Sequence, residues 1–253
     1  MALLFSETLT GVFTSFVAGQ AQGLTVSALG KVSLVPGRLE ISTAPDGSPA
    51  LMSQITPSDT PTATGIRSEI NYSPEANAER WYVWEVFHAN GFSPLETITF
   101  MQIHDSPDGG EGVVKYPNFE FFSQGGYVFC AVPIDAPNEV SSSSRFPPQV
   151  RVPLITGKWV QCAVHSNWAT DSTGFLEAYY NGSLVSKEWF RACGYSDAVG
   201  PYWKLGLYDF THGGLSTTYT AWYRNASLYS TGHSASSIFG AQPLPPSGRT
   251  LGP

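Results

Sequence analysis

Three short segments of the chain alternate reactive polar side chains with apolar ones at a period of two. GIRSEI sets Arg67 and Glu69 against Ile66 and Ile70, FMQIH sets Gln102 and His104 against Met101 and Ile103, and YWKLGLY sets Tyr202, Lys204 and Tyr208 against Trp203, Leu205 and Leu207. Side chains alternate faces along a β-strand, so each segment predicts a strand with one apolar face and one polar face. Laid side by side, the three strands would form a packed core behind a polar floor. That floor would gather an arginine, a carboxylate, an amide, an imidazole, an ammonium and phenols.

The rest of the chain fits the same architecture. With 25 glycines, 19 prolines and 13% aromatic residues, it suits many short strands joined by tight turns. No long stretch has helical periodicity. At 253 residues it is long enough for one large sandwich, and the expected organisation is a single domain over 1–242 with a Pro-rich extended tail over 243–253. Residues 1–34 read as opening strands and 51–64 as a polar connection. WYVWEVFH (81–88) and LETITFMQIH (95–104) read as neighbouring strands joined through GFSP, and 133–153 as a long Pro- and Ser-rich loop bordering the groove. Asn181 and Gly182 mark the turn of a hairpin.

Charge narrows the partners. A net charge of −7, with only thirteen Lys plus Arg, argues against nucleic acid, which demands a basic surface. The same shortage favours a carboxylate-only polymer over a sulfated one. No apolar run is long enough to span a membrane. Cys130, Cys162 and Cys193 are an odd set with no C-x-x-C or zinc spacing, so neither a disulfide framework nor a metal site is expected. Asp105, Asp108 and Glu111 among glycines offer a weak calcium pattern that a solvated turn explains better. No other cofactor is implied. MALLFSETLTGVF lacks the basic start of a secretory signal. With the tail, this points to an extracellular or virion setting, and to the tail as a strap along a neighbouring subunit or virion protein.

The ordered motifs carry a resemblance. R-S-E-I at 67–70, Q-I-H at 102–104 and Y-W-K-L-G-L-Y at 202–208, with TPSDTPTATG before the arginine and GKWVQCAVHSNWATDSTGFLEAYYNGSLV between the last two, resemble the concanavalin-like jelly-roll polysaccharide lyases. The nearest group is the heparin lyase I family, and alginate and glucuronan lyases are more distant relatives. The resemblance spans most of residues 35–230. It implies an all-β jelly-roll sandwich of two antiparallel sheets with a concave polar groove, and an anionic polysaccharide as substrate. It also implies that the family's arginine, glutamine, histidine, lysine and tyrosine correspond to Arg67, Gln102, His104, Lys204 and Tyr208.

The residues themselves support that chemistry. Breaking a uronic-acid polymer by β-elimination removes the proton on C5 and delivers one to the oxygen leaving C4, which is feasible only when the neighbouring carboxylate is neutralised. Arg67 and Gln102 are suited to hydrogen-bond that carboxylate. His104 is a natural base and Tyr208 a natural acid. A phenol titrates near about 10, but Lys204 and Arg67 would lower that value and let Tyr208 act as base as well. Which of the two takes the C5 proton depends on the sugar's stereochemistry. Glu69 is expected to orient Arg67, while Tyr202, His165 and Trp168 are candidates either to line the groove or to serve a purely structural role. Taken singly, Arg67 with Glu69 is an ordinary cross-strand pair, His104 an ordinary histidine and Tyr208 an ordinary sandwich tyrosine. Only their joint occurrence points to a site. Because the fold also serves binding proteins, a non-catalytic glycan-binding or virion decoration protein is the competing reading.

Overall fold

The computed structural model describes residues 3–7, 16–21, 24–27, 35–61, 65–72, 77–92, 94–106, 116–131, 150–189, 192–211 and 214–240. They form two antiparallel sheets of eight strands each, numbered here along the chain. The first runs in the order Ser183–Trp189 (β14), Phe175–Tyr180 (β13), Trp159–Asn167 (β12), Glu79–His88 (β7), Tyr219–Tyr229 (β16), Pro49–Ile55 (β5) and Leu39–Thr43 (β4), with Leu3–Glu7 (β1) also on β16. The second runs Val150–Pro153 (β11), Tyr127–Ala131 (β10), Phe119–Gln124 (β9), Ile98–His104 (β8), Tyr202–Asp209 (β15), Ile66–Tyr72 (β6), Phe16–Ala21 (β2) and Leu24–Ser27 (β3).

The apolar halves of the alternating segments meet between the sheets. Tyr82, Trp84 and Val86 of β7 join Ile66, Ile70, Met101, Ile103, Trp203, Leu205 and Leu207 in one core. Trp84 and Tyr82 approach Trp203 edge-on, with ring centroids 5.9 and 5.5 Å away, an arrangement that adds to the burial of such large rings. The middle of the other face of β7 is apolar too. Trp81 and Val83 pack with Ala163 and Tyr179, and Ile238 and Phe239 of the short helix α1 (Ala235–Phe239) lie against them. Ser234 caps that helix through a reciprocal bond with Ser237.

The hairpin turn at Asn181 and Gly182 forms with φ of 53° and 71°, the left-handed pair that a two-residue turn between twisted strands requires. Other expectations are corrected. The strands over 81–88 and 95–104 are not neighbours: β7 pairs with β12 and β16, and β8 with β15 and β9. Both are apolar on the core side, and a sandwich buries them most fully from opposite sheets. Residues 51–55, expected in a connection, belong to β5, and 150–153, expected in a loop, form β11. Residues 243–253, Asp108 and Glu111 lie outside the described residues. Among those described, no helix is long and apolar enough to cross a membrane.

Candidate active site

β15 lies between β6 and β8, and the registers set Tyr208 opposite Arg67, Gly206 opposite Glu69, Lys204 opposite Gln102 and Tyr202 opposite His104. Directly opposed residues share a sheet face. The expected polar floor is therefore one continuous outer face of three adjacent strands, although residues 67 and 208 are far apart in sequence.

Glu69 is the hub of this face. It is fully buried, and its Oε1 accepts a 3.1 Å hydrogen bond from Gln102 Nε2, while Oε2 lies 3.7 Å from Arg67 Nη1 and 3.8 Å from Lys204 Nζ. A buried carboxylate is tolerable only with such partners. Burial holds the Lys204 ammonium below the usual lysine range; Glu69 opposes that shift and Arg67 adds to it. Gln102 and Lys204 are themselves buried, so the accessible layer consists of the half-buried Arg67, His104, Tyr202 and Tyr208.

Each accessible group is held by a neighbour. The Arg67 guanidinium lies 4.3 Å from the Tyr208 ring centroid, which sets a cation beside the phenol. The His104 ring stacks on Tyr202 with centroids 5.5 Å apart. Its Nδ1 sits 2.7 Å from Oδ1 of the buried Asp105 and 3.2 Å from the Asp105 carbonyl oxygen. A proton on Nδ1 would satisfy both acceptors and leave Nε2 as the ring nitrogen able to accept one. Burial pushes the Tyr202 phenol well above its ordinary range, with Glu69 and Asp105 adding to the shift and Arg67 opposing it.

The room for this arrangement comes from Gly206. Its φ is +140°, and a Cβ there would lie 2.1 Å from the Ser68 carbonyl oxygen and 2.6 Å from Glu69 Cα. The β15–β8 register shifts between Leu205 and Tyr208, so Gly206 is also part of a bulge, a device that re-aims side chains beside functional sites. The shift brings Thr99 opposite Tyr208, where its Oγ1 donates to Glu120 Oε2 at 3.0 Å. An isolated glycine inside an alternating strand was the available sequence signal for this feature; Thr99 and Glu120 carried none.

Two expected groove residues lie elsewhere. His165 is on β12 of the opposite sheet, flat against Trp81 at 4.1 Å, with Nε2 2.9 Å from Glu79 Oε1 and Nδ1 3.2 Å from Glu177 Oε2. Trp168 is fully buried in the core, and its indole N–H donates to the Tyr82 hydroxyl at 3.0 Å. His165 lies on β12 and Trp168 directly after it, and β12 belongs to the other sheet, so neither reaches the floor. Among the described residues, no group of three or more His, Cys, Asp or Glu is placed to hold a metal ion.

The model of a family described as "polysaccharide lyase" matches residues 10–227 of the chain. The chain belongs to the polysaccharide lyase family. No curated protein matches it. Solved structures with the same fold include an endo-β-1,4-glucuronan lyase from the fungus Trichoderma reesei, at 16% identity and a TM-score of 0.69 over 91% of this chain and 96% of that one. A family 7 alginate lyase bound to its product has 16% identity and a TM-score of 0.58 over 88% and 93%. An alginate lyase from Pseudomonas aeruginosa has 15% identity and a TM-score of 0.58 over 85% and 98%. At these identities the likeness is one of fold, an all-β sandwich of two antiparallel sheets.

Proposed function

We propose that this polysaccharide lyase cleaves a uronic-acid-containing glycan by β-elimination, with Arg67, Gln102, His104, Lys204 and Tyr208 as the reacting set. The observation that carries the reading is that Arg67, Gln102 and Lys204 meet at the buried Glu69, with Tyr208 and His104 on the same sheet face by register. In the reaction the C5 proton leaves, its electron pair forms the C4–C5 double bond, and the C4–O bond breaks as the leaving oxygen gains a proton. Arg67 is the accessible cation for the sugar carboxylate, whose negative charge otherwise resists loss of that proton. Glu69 holds Gln102 and Lys204 in place beneath it.

The proton steps follow from the sugar. In glucuronate and mannuronate the C5 hydrogen and the C4 oxygen are on the same side of the ring, and Tyr208 can take one proton and return the other. In the C5 epimers they lie on opposite sides, and His104 Nε2 takes the C5 proton while Tyr208 donates. The acidic chain and its few basic residues favour a carboxylate-only polymer over a sulfated, heparin-like one. Solved structures of the same fold, named as glucuronan and alginate lyases, support the same substrate class. Display on a bacteriophage particle is a separate proposal. It concerns residues 243–253, and the association of truncated protein with particles tests it.

The deciding experiment is a panel of glucuronan, alginate, hyaluronan and heparin followed by ultraviolet absorbance of the unsaturated product. Absorbance on a carboxylate-only polymer is the expected result. Retention of glycan without any absorbance would instead favour the binding-protein reading.

A further inference from the structure

The floor does not end at the reacting set. Arg67, Tyr208, Thr99, Phe122, Phe129 and Arg151 are opposed pairwise, in register, across β6, β15, β8, β9, β10 and β11. The alternation of β9 and β10 agrees, because Phe121, Val128 and Cys130 point into the core and their neighbours point outward. One lateral row therefore runs from the candidate site to the edge strand. Phe122 and Phe129 stack within it, with centroids 5.2 Å apart and planes 14° from parallel. At its far end the exposed Arg151 lies with its guanidinium carbon 3.5 Å from the Tyr127 ring centroid. Among the described residues no carboxylate pairs with it.

These features fit a polyanionic chain better than a plain surface. Phe122 is buried, and the half-buried Phe129 stacked on it offers flat apolar support for a sugar ring. An arginine immobilised on a tyrosine and lacking a carboxylate partner is a prepared two-pronged donor for one. From β15 to β11 is four strand spacings of about 4.8 Å, roughly 19 Å, which is longer than a single sugar. Glu120 is level with Gln102 in the adjoining row, where its charge would disfavour a carboxylate between the two arginines. We propose that the glycan lies along this row from Tyr208 over Phe129, and that Arg151 binds the carboxylate of a uronate residue several sugars from the bond that is broken. The inference rests on the lyase reading for its direction and adds a distal subsite to it.

The test uses the full chain with Arg151→Gln, which keeps the stem on Tyr127 and removes the charge, and Arg151→Lys, which keeps the charge without the fork. KM and kcat are measured on glucuronan and alginate and on their size-fractionated oligomers. The expected result for Arg151→Gln is a KM on polymer raised about tenfold, the size of one charge-assisted hydrogen bond, with partial recovery in Arg151→Lys. The wild-type gain in KM with substrate length should flatten in Arg151→Gln. Equal KM values for wild type and Arg151→Gln on a polymer that the wild type cleaves would overturn the subsite and leave the lyase reading standing. Electrophoresis through gels containing the same polymers is read in parallel. Weaker retardation of Arg151→Gln supports the subsite even if nothing is cleaved. Equal retardation, or none for the wild type, overturns it.

Discussion

Glu69 and Gln102 are hydrogen-bonded to each other, Oε1 to Nε2 at 3.1 Å, although a whole strand separates their backbones. The intervening strand is β15, and the residue it sets opposite Glu69 is Gly206, which has no side chain to block the reach. A carboxylate on β6, an amide on β8 and a lysine on β15 are thereby locked into one unit.

Glu69→Gln should therefore do more than remove a charge. It leaves Arg67 and the buried Lys204 without their shared anion, and breaking such a buried arrangement typically costs roughly 3–5 kcal/mol. For a chain of this size a loss near the lower figure corresponds to a fall in Tm of about 6–12 °C. Thermal unfolding followed by circular dichroism measures it, and a Tm within a degree of wild type would show that Glu69 does not hold the floor together.

Tyr208→Phe removes one hydroxyl and leaves the ring under Arg67. If Tyr208 moves protons, kcat should fall about 100-fold to 10,000-fold, with Tm nearly constant. His104→Ala should be equally severe on a substrate whose C5 hydrogen and C4 oxygen lie on opposite sides, and milder where they share a side. Steady-state rates on alginates of different uronate composition separate the two cases.

Gly206→Ala tests the bulge. The added methyl would meet the Ser68 backbone at 2.1 Å, and the φ of +140° is strained for any residue with a Cβ. We expect a destabilisation of roughly 2–4 kcal/mol, and loss of activity as β6 and β15 separate. Denaturant midpoint and kcat report the two effects. A stable, active variant would mean that the strands adjust around the methyl.

His88 should govern stability in mild acid. It is fully buried, both ring nitrogens lack a hydrogen-bond partner among the described residues, and burial pulls its pKa from 6.5 to about 3. The unfolded chain takes up this proton below about pH 6.5 while the folded chain refuses it, so stability falls from there down to about pH 3, by up to about 1.4 kcal/mol per pH unit. His88→Leu should remove that share of the slope. Unfolding free energies between pH 7 and 4.5 decide it, and parallel slopes in the two proteins would argue that His88 is already charged when folded.

Much of the site was legible because its members lie on stretches of strand that keep the alternation. Arg67 with Glu69, Gln102 with His104, and Tyr202 with Lys204 and Tyr208 each share a face because successive Cβ atoms point to opposite sides, a property of the local backbone. The same rule failed at β8, where Phe100 and Met101 both enter the core and the bulge brings Thr99 to the floor. For His165 the sequence left lining and structural roles open for a related reason: alternation on β12 tells which residues share a face and says nothing of which sheet the strand joins.

By itself the sequence determined strands, faces and the family's ordered motifs, all of which depend on neighbours within a few residues. Only the tertiary structure decided that β15 lies between β6 and β8, that β7 and β8 separate into opposite sheets, and that Arg151 stands in line with Tyr208. Strand order is settled by how apolar faces from distant parts of the chain bury one another, and many pairings satisfy the same local alternation. The choice among them belongs to the packed core of Trp84, Trp203 and their neighbours.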